Sequence, residues 1–78
     1  MRFTLVHDEK VNKFCYWEDG VRQAMQYADE FYQHVATVKE GNRLKAYELS
    51  DELQKAGASV CMTVSPYGYS VWQGLKKN

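Results

Sequence analysis

The run VRQAMQYADEFYQHV at residues 21–35 constrains the fold more than any other part of the chain. At about 100° per residue, Val21, Ala24, Met25, Ala28, Phe31, Tyr32 and Val35 fall within an arc of about 120°. Arg22, Gln23, Gln26, Asp29, Glu30 and Gln33 lie on the other side. The spacing predicts an amphipathic helix with one face for a core and one for water. Glu18 and Asp19 precede it, where carboxylates favour the positive end of a helix dipole. Asp19 or Gly20 supplies the N-cap. A helix of this length is marginal alone, so the flanking segments must give it a surface to pack on.

Those segments read as strands. In residues 2–7, RFTLVH, Phe3 and Leu5 point one way and Thr4 and Val6 the other. Residues 8–12 are polar apart from Val11 and read as a hairpin loop. The second strand is 13–18, KFCYWE, with Phe14 and Tyr16 on one side and Cys15 and Trp17 on the other. Both sides are apolar enough to be buried. Later, residues 58–65 form a strand with Val60, Met62 and Val64 opposed to Cys61 and Thr63. Pro66, Tyr67 and Gly68 make a turn, proline fixing one φ and glycine permitting a positive one. Residues 69–73 return as the last strand, and 74–78 read as a frayed polar tail.

The middle of the chain admits two readings. In the preferred one the first helix continues to about Glu40, and a second helix follows. Asn42 is its N-cap, residues 43–56 its body and Gly57 its stop, with Ala46, Leu49, Leu53 and Ala56 inward. In the other, residues 35–40 and 43–49 form a hairpin around Gly41 and Asn42, followed by a short helix capped by Ser50. The assembled expectation is an α+β two-layer sandwich, β-β-α-α-β-β. A four-stranded antiparallel sheet carries two helices on one face. The central hairpin gives the alternative, β-β-α-β-β-α-β-β. In either case the far face of the sheet is open to solvent or to a partner.

At 78 residues the chain makes one domain, residues 1–78, burying only about 60% of its unfolded surface. Ten basic residues balance ten acidic ones, which disfavours polyanion binding by bulk charge. No apolar run is long enough for a signal peptide or approaches the ~20 residues of a membrane span. A cytoplasmic protein with no membrane contact is expected, its Cys15 and Cys61 held as thiols.

Candidate chemistry is sparse. His7, His34, Cys15 and Cys61 are the residues suited to a metal, but no two lie within the short spacings of zinc sites. The cysteines are expected to pack as small apolar residues. Neither lies at a helix N-terminus that would activate it as a nucleophile. The carboxylate pairs Asp8/Glu9, Glu18/Asp19, Asp29/Glu30 and Asp51/Glu52 read as loop, cap or solvated-face charges. No glycine-rich phosphate loop is present. The expectation is therefore a non-enzymatic chain without a metal or other cofactor.

The aromatic residues stand out. Tyr67, Tyr69 and Trp72 cluster in the last hairpin, and Tyr16 and Trp17 lie on a strand able to approach it. Tyr67 and Trp72 are expected to be exposed, and Tyr and Trp are enriched at binding hot spots. The reading is a protein–protein interaction module, an inhibitor or accessory protein of the kind phages and mobile elements use. It would engage a partner protein through Tyr67, Tyr69, Trp72, Tyr16 and Trp17. The alternatives are single-stranded nucleic-acid binding by the same aromatics, and a homodimer that closes its open sheet faces against each other. As a monomer the chain would offer that face to its partner.

Overall fold

The computed structural model describes residues 4–75. The elements are β1 (Thr4–His7), a 3-10 turn (Asp8–Lys10), β2 (Asn12–Trp17), β3 (Val21–Tyr27) and β4 (Glu30–Lys39). A second 3-10 turn (Glu40–Asn42), α1 (Arg43–Lys55), β5 (Val60–Ser65) and β6 (Gly68–Gly74) complete the chain. They build one six-stranded sheet in the order β1-β5-β6-β4-β3-β2. β1 pairs parallel with β5, and the other pairs are antiparallel. This corrects the expected four-stranded antiparallel sheet with two helices, and its eight-element alternative. The described residues hold a single α-helix and a mixed sheet.

The helix expected over residues 21–35 is instead the β3–β4 hairpin. Met25 pairs with Tyr32 and Tyr27 with Glu30, leaving Ala28 and Asp29 as a two-residue turn. Both turn residues have positive φ, 53° and 65°, the type I′ requirement that matches the twist of the flanking strands. Two registers coincide in this run. Residues seven apart, such as Met25 and Tyr32, share a helix face, and across a short turn they are also direct strand partners. Val21, Tyr27, Phe31, Tyr32, Val35, Thr37 and Val38 favour a pleated surface, and β4 has a long partner in β6. Tertiary pairing decides the outcome. Glu18, Asp19 and Gly20, expected as a helix start, form the β2–β3 loop, with Asp19 and Gly20 at φ 57° and 122°.

The expected hairpin loop at 8–12 is also something else. β1 and β2 are the two edges of the sheet, not neighbours. A flat six-stranded sheet would separate them by about 24 Å. The link through Asp8–Lys10 reaches only about 13 Å, three of its residues being wound in a 3-10 turn. The sheet must therefore curl until its edges approach, and the molecule measures 31 × 27 × 25 Å.

The curl makes two cores. On the convex face, α1 covers β4, β5 and β6: Ala46, Val60, Met62 and Val71 are buried, with Val35, Val38, Tyr47, Leu49, Leu53 and Tyr69 packed around them. A register shift between His34 and Ala36 lets Val35 and Val38, three residues apart, both face this side. On the concave face Met25, Tyr32, Cys61 and Trp72 are buried against one another, with Val6, Val11 and Tyr27 closing over them. The far face is therefore filled around Trp72 and open only toward β2, where Cys15, Trp17 and Val21 are exposed.

Where sequence and structure agree, local chemistry is strong. Asn42 precedes α1. At the other end the Gly57 N–H donates to the Gln54 carbonyl (2.9 Å) and the Ala58 N–H to the Leu53 carbonyl (3.0 Å). With Gly57 at φ 95°, this is a Schellman end. Val60 and Met62 face α1 while Cys61 and Thr63 face inward. Gly74 belongs to β6, and the Leu75 N–H donates to the Phe31 carbonyl at 2.9 Å. Residues 76–78 of the expected tail lie outside the described residues.

The β3–β4 turn uses side chains poorly suited to it, since an alanine with positive φ carries steric strain. Replacing the pair with Ala28→Asn and Asp29→Gly is expected to stabilise the protein by about 1 kcal/mol. A raised urea midpoint with unchanged slope would confirm this, and an unchanged or lowered midpoint would refute the turn.

Candidate functional site

The five aromatic residues singled out from the sequence do not form one surface. Tyr67 stands at the β5–β6 turn, 85% exposed. The turn is fixed by Ser65, whose Oγ accepts from the Tyr67 N–H at 3.2 Å and donates to the Gly68 carbonyl at 3.4 Å. Gly68 itself has φ 151°, and a Cβ there would lie 2.1 Å from the Val38 carbonyl oxygen. Only glycine lets β6 cross so close to β4. Tyr69 is half-buried against the α1-side core.

Trp72 is only 2% exposed, which overturns its expected place on an open face. It shares the concave side with Ser70, but the curled sheet fills that side. Its Nε1–H donates to Thr63 Oγ1 at 2.9 Å, and the His34 ring meets it edge-on with centroids 5.2 Å apart. Tyr16 is half-buried on β2, and Trp17 beside it is 77% exposed. β4 and β3 separate β6 from β2, so three strand spacings, about 14 Å along the sheet, divide the Tyr67 hairpin from Trp17.

What the fold presents instead is an apolar patch on β2, β3 and β4. Phe14 and Phe31 are 40% and 49% exposed, yet their rings are locked in a T-shaped contact, centroids 6.0 Å apart at 85°. Phe14 pairs opposite Ala24, and Ala24 opposite Gln33. Phe14, Tyr16 and Phe31 therefore share the convex face with α1, beyond the reach of the helix. Leu75, also exposed, joins Phe31 at a shallow depression with Ala28, Asp29 and Glu30. On the opposite face, Trp17 is the direct cross-strand partner of Val21, and both are exposed. The patch exists because β2 is an edge and one helix can cover only the three strands it crosses. Sequence reasoning missed Phe14, Phe31, Val21 and Leu75 because it gave Phe31 and Val21 to a helix core. The available signal was strand 13–18, apolar on both sides.

His34 Nε2 hydrogen-bonds Thr37 Oγ1 at 2.8 Å, and Thr37 Oγ1 hydrogen-bonds Ser70 Oγ at 2.9 Å. Burial, and then the charge of Lys13, hold His34 below its ordinary value of 6.5. The stability it lends is complete above that pH and is lost as pH falls through its folded-state value. Lys13 is ion-paired with Asp8. The candidate metal ligands are dispersed: Cys15 is exposed on β2, Cys61 is buried in the concave core, and His7 pairs opposite Val64 at the end of β1. Among the described residues no three His, Cys, Asp or Glu side chains gather as a metal site. No helix among them is long and apolar enough to cross a membrane.

No protein-family model matches this chain, and no curated protein or solved structure is similar to it.

The two cysteines give a direct check on the curled sheet. Burial pushes the Cys61 thiol from 9.0 up to about 11, so its contribution to stability is complete below pH 9 and lost as pH rises toward 11. A disulfide reagent is expected to modify Cys15 at once and Cys61 only on unfolding. Two rapidly reacting thiols in the native protein would contradict the closed concave core. Trp72→Ala, which empties that core, is expected to cost about 3–5 kcal/mol. Retained cooperative unfolding with a loss below about 1 kcal/mol would place Trp72 at the surface.

Proposed function

We propose that the chain is a small non-enzymatic interaction module that acts by occupying the surface of a partner protein, as an inhibitor or accessory protein. One observation supports this most: the Phe14–Phe31 ring pair held at the surface of the convex face. Aromatic side chains fixed in place before binding lose little conformational freedom on docking, and they provide large apolar contact with defined shape. Tyr16 and Leu75 border the pair, and the charged groups beside it are few and mixed in sign: Asp29 and Glu30 at the turn and Arg22 opposite Tyr16. A neutral protein with such a patch suits a protein surface better than a phosphate backbone. The aromatic platform invoked for nucleic acid loses Trp72 to the core and Tyr69 to the α1 contact. Two free cysteines, one of them exposed, suit a reducing cytoplasmic setting.

The test is affinity capture from source-cell lysate with and without nuclease, using the wild-type chain and Phe31→Ala. The expected result is one stoichiometric protein that survives nuclease and is depleted about tenfold or more by Phe31→Ala. Capture that vanishes with nuclease, or that ignores Phe31→Ala while the variant stays folded, rejects this surface.

A further inference from the structure

We propose that β2 also pairs edge to edge with β2 of a second copy of this chain, antiparallel, in the register centred on Cys15. β2 ends the sheet with one side unpaired. Its sequence NKFCYW contains no proline and a single charge, Lys13, which is ion-paired with Asp8. Five of its six residues are exposed. Sheet proteins normally protect such an edge with charges, proline or a bulge, because unpaired N–H and C=O groups recruit another strand. Zero net charge removes overall repulsion between copies.

Symmetry narrows the register. In an antiparallel pair, directly opposed residues alternate between hydrogen-bonded and non-bonded sites. A two-fold axis makes the pairs on either side of it equivalent, so the axis must pass through a residue opposed to itself. Within Asn12–Trp17, two such registers keep five residues of each strand paired. Centring on Phe14 sets Lys13 against Cys15 and leaves Trp17 without a partner.

Centring on Cys15 sets Lys13 against Trp17 on the concave side and Phe14 against Tyr16 on the convex side, with Cys15 on the axis. Every opposed pair is then compatible: a cation over an indole, two aromatic rings, and two small thiols. The same pairing joins the Phe14–Phe31 patches of the two copies through Tyr16 into one longer platform. The inference thus rests on reading β2 as a docking strand and adds its occupant.

Sedimentation equilibrium of the full chain in reductant, from about 1 µM to about 1 mM, reads the assembly. A reversible dimer is expected. Trp17→Lys places a like charge opposite Lys13 and Trp17→Glu an opposite one, while both remove the same exposed ring. Trp17→Lys is expected to weaken the dimer at least tenfold more than Trp17→Glu. Near-UV circular dichroism from buried Trp72 confirms that both variants are folded.

Under copper–phenanthroline and oxygen, which remove two electrons and release two protons per bond formed, the wild type is expected to crosslink through Cys15 and Cys15→Ser to remain uncrosslinked. A wild type that stays monomeric throughout, or equal dimers in the two Trp17 variants, overturns the pairing. A monomer that still captures a partner dependent on Phe31 overturns the pairing alone. A dimer whose capture is insensitive to Phe31→Ala overturns the function proposed above alone.

Discussion

The short link between β1 and β2 sets the shape of this protein. Two strands at opposite edges of a six-stranded sheet are joined by four residues, Asp8 to Val11. No flat arrangement satisfies that length. Once the sheet curls, its concave side becomes an interior, and a chain with one helix can bury both faces of its sheet. Trp72, Met25, Cys61 and Tyr32 fill the interior. The one polar demand of the indole is met by Thr63, itself buried. A buried Nε1–H without such an acceptor would cost the stability that the ring contributes.

The same constraint explains where the surface is left unfinished. α1 lies over the strands at the centre and on the β5 side, and the curl protects the concave side. Neither device reaches the convex side of β2 and β3. Phe14 and Phe31 therefore meet each other at the surface, and on the concave side the curl stops short of the hairpin end, where Trp17 and Val21 meet exposed. In a domain this small every large apolar side chain kept out of the core reduces the folding drive. Their retention on one edge is what makes that edge the functional candidate.

Much of the second half of the chain was legible in the sequence. Asn42 and Gly57 bracket α1: the Gly57 end is a local backbone cap, while Asn42 ends the preceding 3-10 turn and its side chain makes no capping hydrogen bond. The alternation of Val60, Cys61, Met62 and Thr63 set opposite faces, and Pro66 and Gly68 marked the last turn, because the strand period and turn geometry are local as well. The first half was not legible. Residues 21–35 satisfy a helical period and a hairpin register together, and the Ala28–Asp29 turn lacks the Asn-Gly or Asp-Gly pair that would have announced it. Of the candidate site, Tyr16 and Trp17 were visible as an apolar strand, Tyr67 as a turn residue. Phe31 was hidden by the helical reading, and Trp72 was assigned to a face that the curl closes.

By itself the sequence determined the local elements whose signals lie within one turn or one strand: α1 and the glycine that ends it, the β5–β6 hairpin, and the strand 13–18 with apolar residues on both sides. It also set the zero net charge. Only the tertiary structure decided that residues 21–39 pair as strands, that β1 joins β5 in parallel, and that Trp72 is core while Phe14 and Phe31 are surface. Those outcomes depend on hydrogen-bond partners and packing surfaces many residues away. Pairing at that range is settled by which arrangement satisfies the most backbone groups and buries the most apolar area at once, a quantity no short window of sequence contains.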